Sequence, residues 1–112
     1  MRRRTIVLTG TMLSATLLWS STILAAPAED ATVKIDNFSF SPAQITVAPG
    51  TKVTWANQDD MPHTVTDAGA PRAFKSPALD TGDAFSYMFS TPGTYHYLCS
   101  LHPYMHGTVV VK

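Results

Sequence analysis

After residue 28, apolar side chains return at every second position in run after run, and no helical period of useful length appears. Val33 and Ile35 alternate with Lys34 and Asp36, Ile45 and Val47 with Gln44 and Thr46, Val53 and Trp55 with Lys52 and Thr54. Phe85, Tyr87 and Phe89 alternate with Ser86 and Met88, and Tyr95, Tyr97 and Cys99 with His96 and Leu98. Successive side chains of a strand point to opposite faces, so this pattern predicts short, half-buried strands. Thr108–Val111 predicts a final strand, buried on both faces or lying near a sheet edge. Pro49-Gly50 suits a type II turn, and Asp80-Thr81-Gly82-Asp83 and Pro92-Gly93 are further turn signals. Asn57 to Pro62 reads as a polar loop, and 67–80 is the least regular stretch. Phe38 and Phe40 point one way and are expected to be core anchors. Trp55 is expected to pack in the core with its indole N–H near a partner. Short strands separated by Gly/Pro turns predict an all-β sandwich or barrel.

The first 28 residues have a different character. Arg2, Arg3 and Arg4 precede an apolar run from Ile6 to Leu24, and Ala26-Pro27-Ala28 follows. A basic start, an apolar stretch and an A-x-A exit predict a secretory signal peptide over residues 1–28, cut after Ala28. Thr, Ser and Gly dilute the run, which weighs against the rival reading of a retained membrane anchor. Residues 29–112 then form a single exported domain, expected in the periplasm. That domain keeps all 8 acidic residues but only Lys34, Lys52, Arg72, Lys75 and Lys112 among the basic ones, a formal charge of −3. An acidic balance argues against nucleic acid or an anionic membrane surface as partner.

A domain this small buries a modest core and often relies on disulfides or a metal. Export predicts an oxidising compartment, where disulfides are usual. Yet the sequence holds 1 cysteine, Cys99, so no internal disulfide can form. A lone exported thiol is a liability unless something occupies its sulfur. Around it the chain reads Cys99-Ser100-Leu101-His102-Pro103-Tyr104-Met105, and Met61-Pro62-His63 lies upstream. Two imidazoles, a thiolate and a thioether form a soft donor set that suits copper, and two His with one Cys and a weak axial Met make a blue-copper site. Cys99 ends a strand facing inward, and His102 and Met105 follow on a short loop that must turn back over the ion. His63 must come from another strand. Four protein ligands leave no easy open position for substrate, which argues against an enzyme at this metal. His96 alternates against Cys99 and is expected to face away. The pair Asp59-Asp60 is expected on the solvated surface, and His106 either there or on a pH-sensitive rim of the site.

At these residues the chain resembles the cupredoxins, and within them the amicyanin group. The matching stretches are Val53-Thr54-Trp55-Ala56-Asn57, Met61-Pro62-His63, Gly93-Thr94-Tyr95-His96-Tyr97, and Cys99 through Val111. The C-x2-H-x2-M loop has the amicyanin spacing; plastocyanins and pseudoazurins have a longer gap before Met. His106 stands where amicyanin has arginine. The resemblance implies a Greek-key β-sandwich of seven or eight strands with copper at one end. It implies that His63 and His102 bind through ring nitrogens, Cys99 through a short thiolate bond and Met105 through a long axial contact. It implies that Asn57 ties the His63 loop to the loop at Ser100, both residues supporting the ligands from behind. His102 would be the electron port, within a patch of Met61, Pro62, Pro103 and Tyr104. The implied partners are redox proteins of the c-type cytochrome or dehydrogenase class, met by a monomer over a small interface. A copper carrier or storage protein is the competing reading. A carrier would show open Met/His sites at the surface, and the sequence has no Met-rich or His-rich tract.

Overall fold

In the computed structural model, residues 6, 7, 9–19 and 30–112 are described. Arg2, Arg3, Arg4 and Ala26-Pro27-Ala28, on which the signal-peptide reading rests, lie outside the described residues. No helix among the described residues is long and apolar enough to cross a membrane.

The described residues form eight strands: β1 (Asp30–Asp36), β2 (Ser39–Ser41), β3 (Gln44–Val47), β4 (Thr51–Asn57), β5 (Thr66–Asp67), β6 (Ala84–Phe89), β7 (Gly93–Leu98) and β8 (His106–Val111). They make two four-stranded sheets, ordered β2-β1-β4-β6 and β3-β8-β7-β5. Both sheets are mixed: β1 runs parallel to β4 and β3 parallel to β8, while the other pairs are antiparallel. The all-β sandwich expected from the alternation is therefore present.

The inward positions are those the period of two selects. Val33 and Ile35 of β1, Val53 and Trp55 of β4, Phe89 of β6, Tyr97 of β7, and Val109 and Val111 of β8 are buried. Burying each such side chain contributes about 1.5–3 kcal/mol. Trp55 sits at the centre, with Phe74 stacked on it and Tyr97 meeting it edge-on. Its indole N–H and the Tyr97 hydroxyl have no hydrogen-bond partner among the described residues, so the partner expected for the indole is not found. Strand β8 is neither doubly buried nor an edge. It lies between β3 and β7, with Val109 and Val111 inward and Thr108 and Val110 half-buried. Gly107 is required where it stands, because a Cβ there would lie within 2.1 Å of the Tyr97 ring.

Turn chemistry carries the chain between sheets. Gly50 has φ 90° and Thr51 N–H donates to Ala48 O at 3.2 Å, the expected type II geometry linking β3 to β4. Gly82 has φ 88°, and Asp83 N–H donates to Asp80 O at 2.9 Å. The irregular 67–80 stretch is organised by the buried Asp67 carboxylate, which accepts from the N–H groups of Gly69 and Ala73. It delivers Phe74 and Leu79 to the core.

Phe38 departs from expectation. Phe40 is buried against Tyr97, but Phe38 is 36% exposed and is not a core anchor. Asn37 and Phe38 both have positive φ, 50° and 55°, so the tight β1–β2 turn breaks the alternation and swings the Phe38 ring outward.

Candidate metal centre

Cys99 follows the last residue of β7 and stays on its inward face, fully buried. The loop after it is built from two consecutive tight turns. His102 N–H donates to Cys99 O at 3.2 Å, and Met105 N–H donates to His102 O at 2.9 Å. Cys99 N–H then closes the loop onto Met105 O at 3.2 Å. Two intervening residues are what an i to i+3 turn needs, so each candidate donor stands one turn from the next. Leu98 pairs with His106 at the base, making the loop the tip of the β7–β8 hairpin. Met105 is 2% exposed, and His102 is half-buried.

His63 comes from the connection between β4 and β5, which crosses from one sheet to the other. Its backbone is pinned on both sides by Leu79: His63 N–H donates to Leu79 O at 3.1 Å and Leu79 N–H to His63 O at 2.7 Å. The side chain is fully buried.

These elements bring three donor atoms to one point. Nδ1 of His63 and Nδ1 of His102 each lie 3.7 Å from Cys99 Sγ, and 3.2 Å from one another. With bonds of about 2.0–2.3 Å, donors sharing one ion at about 100–120° lie about 3.1–3.8 Å apart. The three residues therefore fit a single metal ion without rearrangement. A thiolate and two imidazoles are the donors copper favours. Burial, the largest single influence on Cys99, works to raise its pKa. The Thr64 N–H, the two histidines and the His102 N–H together outweigh it and bring the thiol down to about 6, favouring the thiolate, the form that a metal would take.

The surrounding hydrogen bonds differ in part from expectation. Asn57 does hold the His63 loop, its amide donating to Met61 O and Leu79 O, both at 2.9 Å, while its Oδ1 accepts from Asp59 N–H. It does not tie that loop to Ser100, because those partners use its donors. Thr64 makes that link. Its hydroxyl accepts from Ser100 N–H at 2.7 Å and meets Ser100 Oγ at 2.8 Å, and its backbone N–H points at Cys99 Sγ at 3.3 Å.

Asp59 is the larger surprise. Asp60 is exposed as expected, but Asp59 is only 6% exposed and its Oδ2 lies 2.9 Å from His63 Nε2. The Phe38 N–H, first, and His63, second, hold its carboxyl down at about 2 against the effect of burial. A carboxylate four residues before a candidate histidine ligand was the signal available in the sequence. His96 faces away, as expected, with Nδ1 at 3.1 Å from Thr108 Oγ1, and His106 is exposed. Met61, Pro62, Pro103 and Tyr104 are exposed, as are Leu101 and, in part, Phe38; of these, Tyr104 and Phe38 meet the His102 ring edge-on.

Comparison with known proteins agrees with this geometry. Residues 27–112 match the family described as copper binding proteins, plastocyanin/azurin family. The chain is 37% identical to amicyanin-alpha of Methylorubrum extorquens, over 78% of this chain and 76% of that protein. It is 34% identical to amicyanin of Paracoccus denitrificans, covering 88% and 79%. Among solved structures, the purple cupredoxin from Nitrosopumilus maritimus superposes with a TM-score of 0.70 at 36% identity, over 74% of this chain and all of that one. A reduced amicyanin variant superposes with the same TM-score at 33% identity, over 80% and 87%. A donor trio of the right chemistry and spacing, on a two-sheet scaffold shared with these proteins, places the chain in the plastocyanin/azurin family of copper-binding proteins, the cupredoxins.

Proposed function

We propose that residues 29–112 are exported to the periplasm and act there as a monomeric carrier of single electrons on one copper ion. His63, Cys99 and His102 would hold the ion, with Met105 as the weak axial ligand. Copper in such a set supplies one-electron chemistry between Cu(I) and Cu(II).

The observation that carries this reading is the donor trio, already spaced for an ion and braced from two sheets. A site whose ligands barely move between oxidation states has a small rearrangement cost, and so a low barrier to transfer. The protein's own contribution is to fix those ligands. Leu79 clamps the His63 backbone, paired turns set His102 and Met105, and Thr64 orients the Cys99 sulfur. His102 is the half-buried member, and exposed Leu101, Pro103 and Tyr104 flank it on its own loop. Electrons would pass there to redox proteins of the c-type cytochrome or dehydrogenase class. Four protein ligands leave no place for a substrate, so the role proposed is transfer and not catalysis.

The visible spectrum of the exported protein tests this after one equivalent of Cu(II) is added. An intense blue band, bleached by reductant and restored by oxidant, is the expected result. Bound copper without that band would overturn the proposal in favour of a carrier site. The mass of the protein recovered from the periplasmic fraction checks export and cleavage after Ala28.

A further inference from the structure

The Asp59 carboxylate faces two ways. One oxygen, Oδ2, meets His63 Nε2 at 2.9 Å and accepts from the Phe38 N–H at 3.0 Å. The other, Oδ1, accepts from Asp60 N–H at 2.9 Å. The residue is itself anchored: its N–H donates to Asn57 Oδ1, and Thr81 Oγ1 donates to its carbonyl at 2.6 Å. We propose that Asp59 is a positioning residue for the metal centre, fixing the tautomer of His63 and seating the Phe38 ring as a roof over both histidines. This rests on the copper reading of the site.

The tautomer follows from chemistry. A neutral imidazole has one N–H and one lone pair, and a carboxylate can only accept. With Nε2–H donated to Asp59, the lone pair is left on Nδ1, the atom that faces Cys99 Sγ and His102 Nδ1. An anionic acceptor also makes the imidazole a stronger donor to a cation, favouring the higher charge state of the ion.

The roof follows from geometry. Phe38 has φ 55°, which a bulky side chain holds only when its surroundings require it. The bond from its N–H to buried Asp59 supplies that requirement. So held, its ring stands edge-on to His63 at 5.5 Å and to His102 at 5.1 Å, with interplanar angles of 90° and 85°. Phe38, from the β1–β2 turn, thereby packs on both candidate histidines at once.

Asp59→Asn and Asp59→Ala, studied with and without copper, test the idea. In the metal-free wild type, nitrogen NMR should show His63 protonated at Nε2 alone. Asp59→Asn keeps the shape and an acceptor but loses the charge. It should retain the tautomer and the blue band while moving the reduction potential upward. Asp59→Ala should give a mixed His63 tautomer, altered Phe38 ring resonances, and copper affinity lower by about 10–100-fold. Asp59→Glu should recover much of the wild-type potential. A folded Asp59→Asn protein with unchanged potential would overturn the charge role, and it decides that point even if Asp59→Ala does not fold. A metal-free wild type with His63 protonated at Nδ1 would overturn the tautomer role. A wild type without the blue band would remove the copper reading, while the metal-free NMR result would still judge the tautomer claim.

Discussion

Thr64 offers copper nothing, yet its hydroxyl meets Ser100 at two atoms and its backbone meets the Cys99 sulfur. Net values per hydrogen bond are about 0.5–1.5 kcal/mol. Thr64→Val should therefore cost the metal-free protein about 1–2 kcal/mol, read from its urea midpoint. Ser100→Ala removes only the hydroxyl–hydroxyl bond and should cost less. Equal losses would mean that the bond from Ser100 N–H contributes nothing. The candidate ligands were legible because metal chemistry forces a residue type at a spacing, and C-x2-H-x2-M turned out to be two linked turns. Their supports were less so. Thr64 is an ordinary residue in sequence, and only the approach of the β4–β5 connection to the β7–β8 loop gives it its partners; Asp59 stands four residues before His63, but its second partner, the Phe38 N–H, comes from the distant β1–β2 turn. Asn57, read in sequence as the start of a polar loop and as a tie to Ser100, is the last residue of β4, and its amide closes on Met61 and Leu79 instead.

Strands β7 and β8 show what a period of two can and cannot carry. Alternation placed Tyr97 and Cys99 inward and His96 outward, as observed. It could not reveal that the Tyr97 ring lies over its cross-strand partner Gly107, since register comes from pairing. A Cβ at position 107 would approach the Tyr97 ring to 2.1–2.6 Å, and the ring is enclosed by Trp55, Phe40 and Phe74. Gly107→Ala should thus destabilise the domain by about 1–3 kcal/mol through overpacking. A denaturation midpoint equal to wild type would show that the hairpin can open at no cost. Strands β2 and β5, of 3 and 2 residues, are too short to display alternation and were not foreseen. The outward Phe38 was hidden for a related reason: a two-residue turn at positive φ reverses which face the next side chain takes.

At the scale of the whole molecule, composition and alternation predicted two facing apolar surfaces, and the sandwich fills them with one aromatic cluster around Trp55. The mixed pairing was not legible, because a parallel neighbour leaves the same alternation as an antiparallel one in a half-buried strand. Tyr97 ties this core to the pH range over which the domain survives. Burial pushes its phenol up to about 12 from an ordinary 10.0, and the nearby Trp55 indole opposes that shift only as a lesser influence, without hydrogen-bond geometry. Between those two values the folded state keeps a proton that the unfolded state has lost. Tyr97 therefore contributes full stability below about pH 10 and loses it as pH rises toward 12, a change of about 2–3 kcal/mol. Tyr97→Phe removes both that titration and a buried hydroxyl without a partner. At pH 7 the variant should match wild type or exceed it by about 1 kcal/mol. Above pH 10 it should unfold at higher pH than wild type, followed by circular dichroism on the metal-free protein. A variant clearly weaker at pH 7 would mean that the hydroxyl has a partner in solution, and one with unchanged alkaline unfolding would move the pH limit to another group.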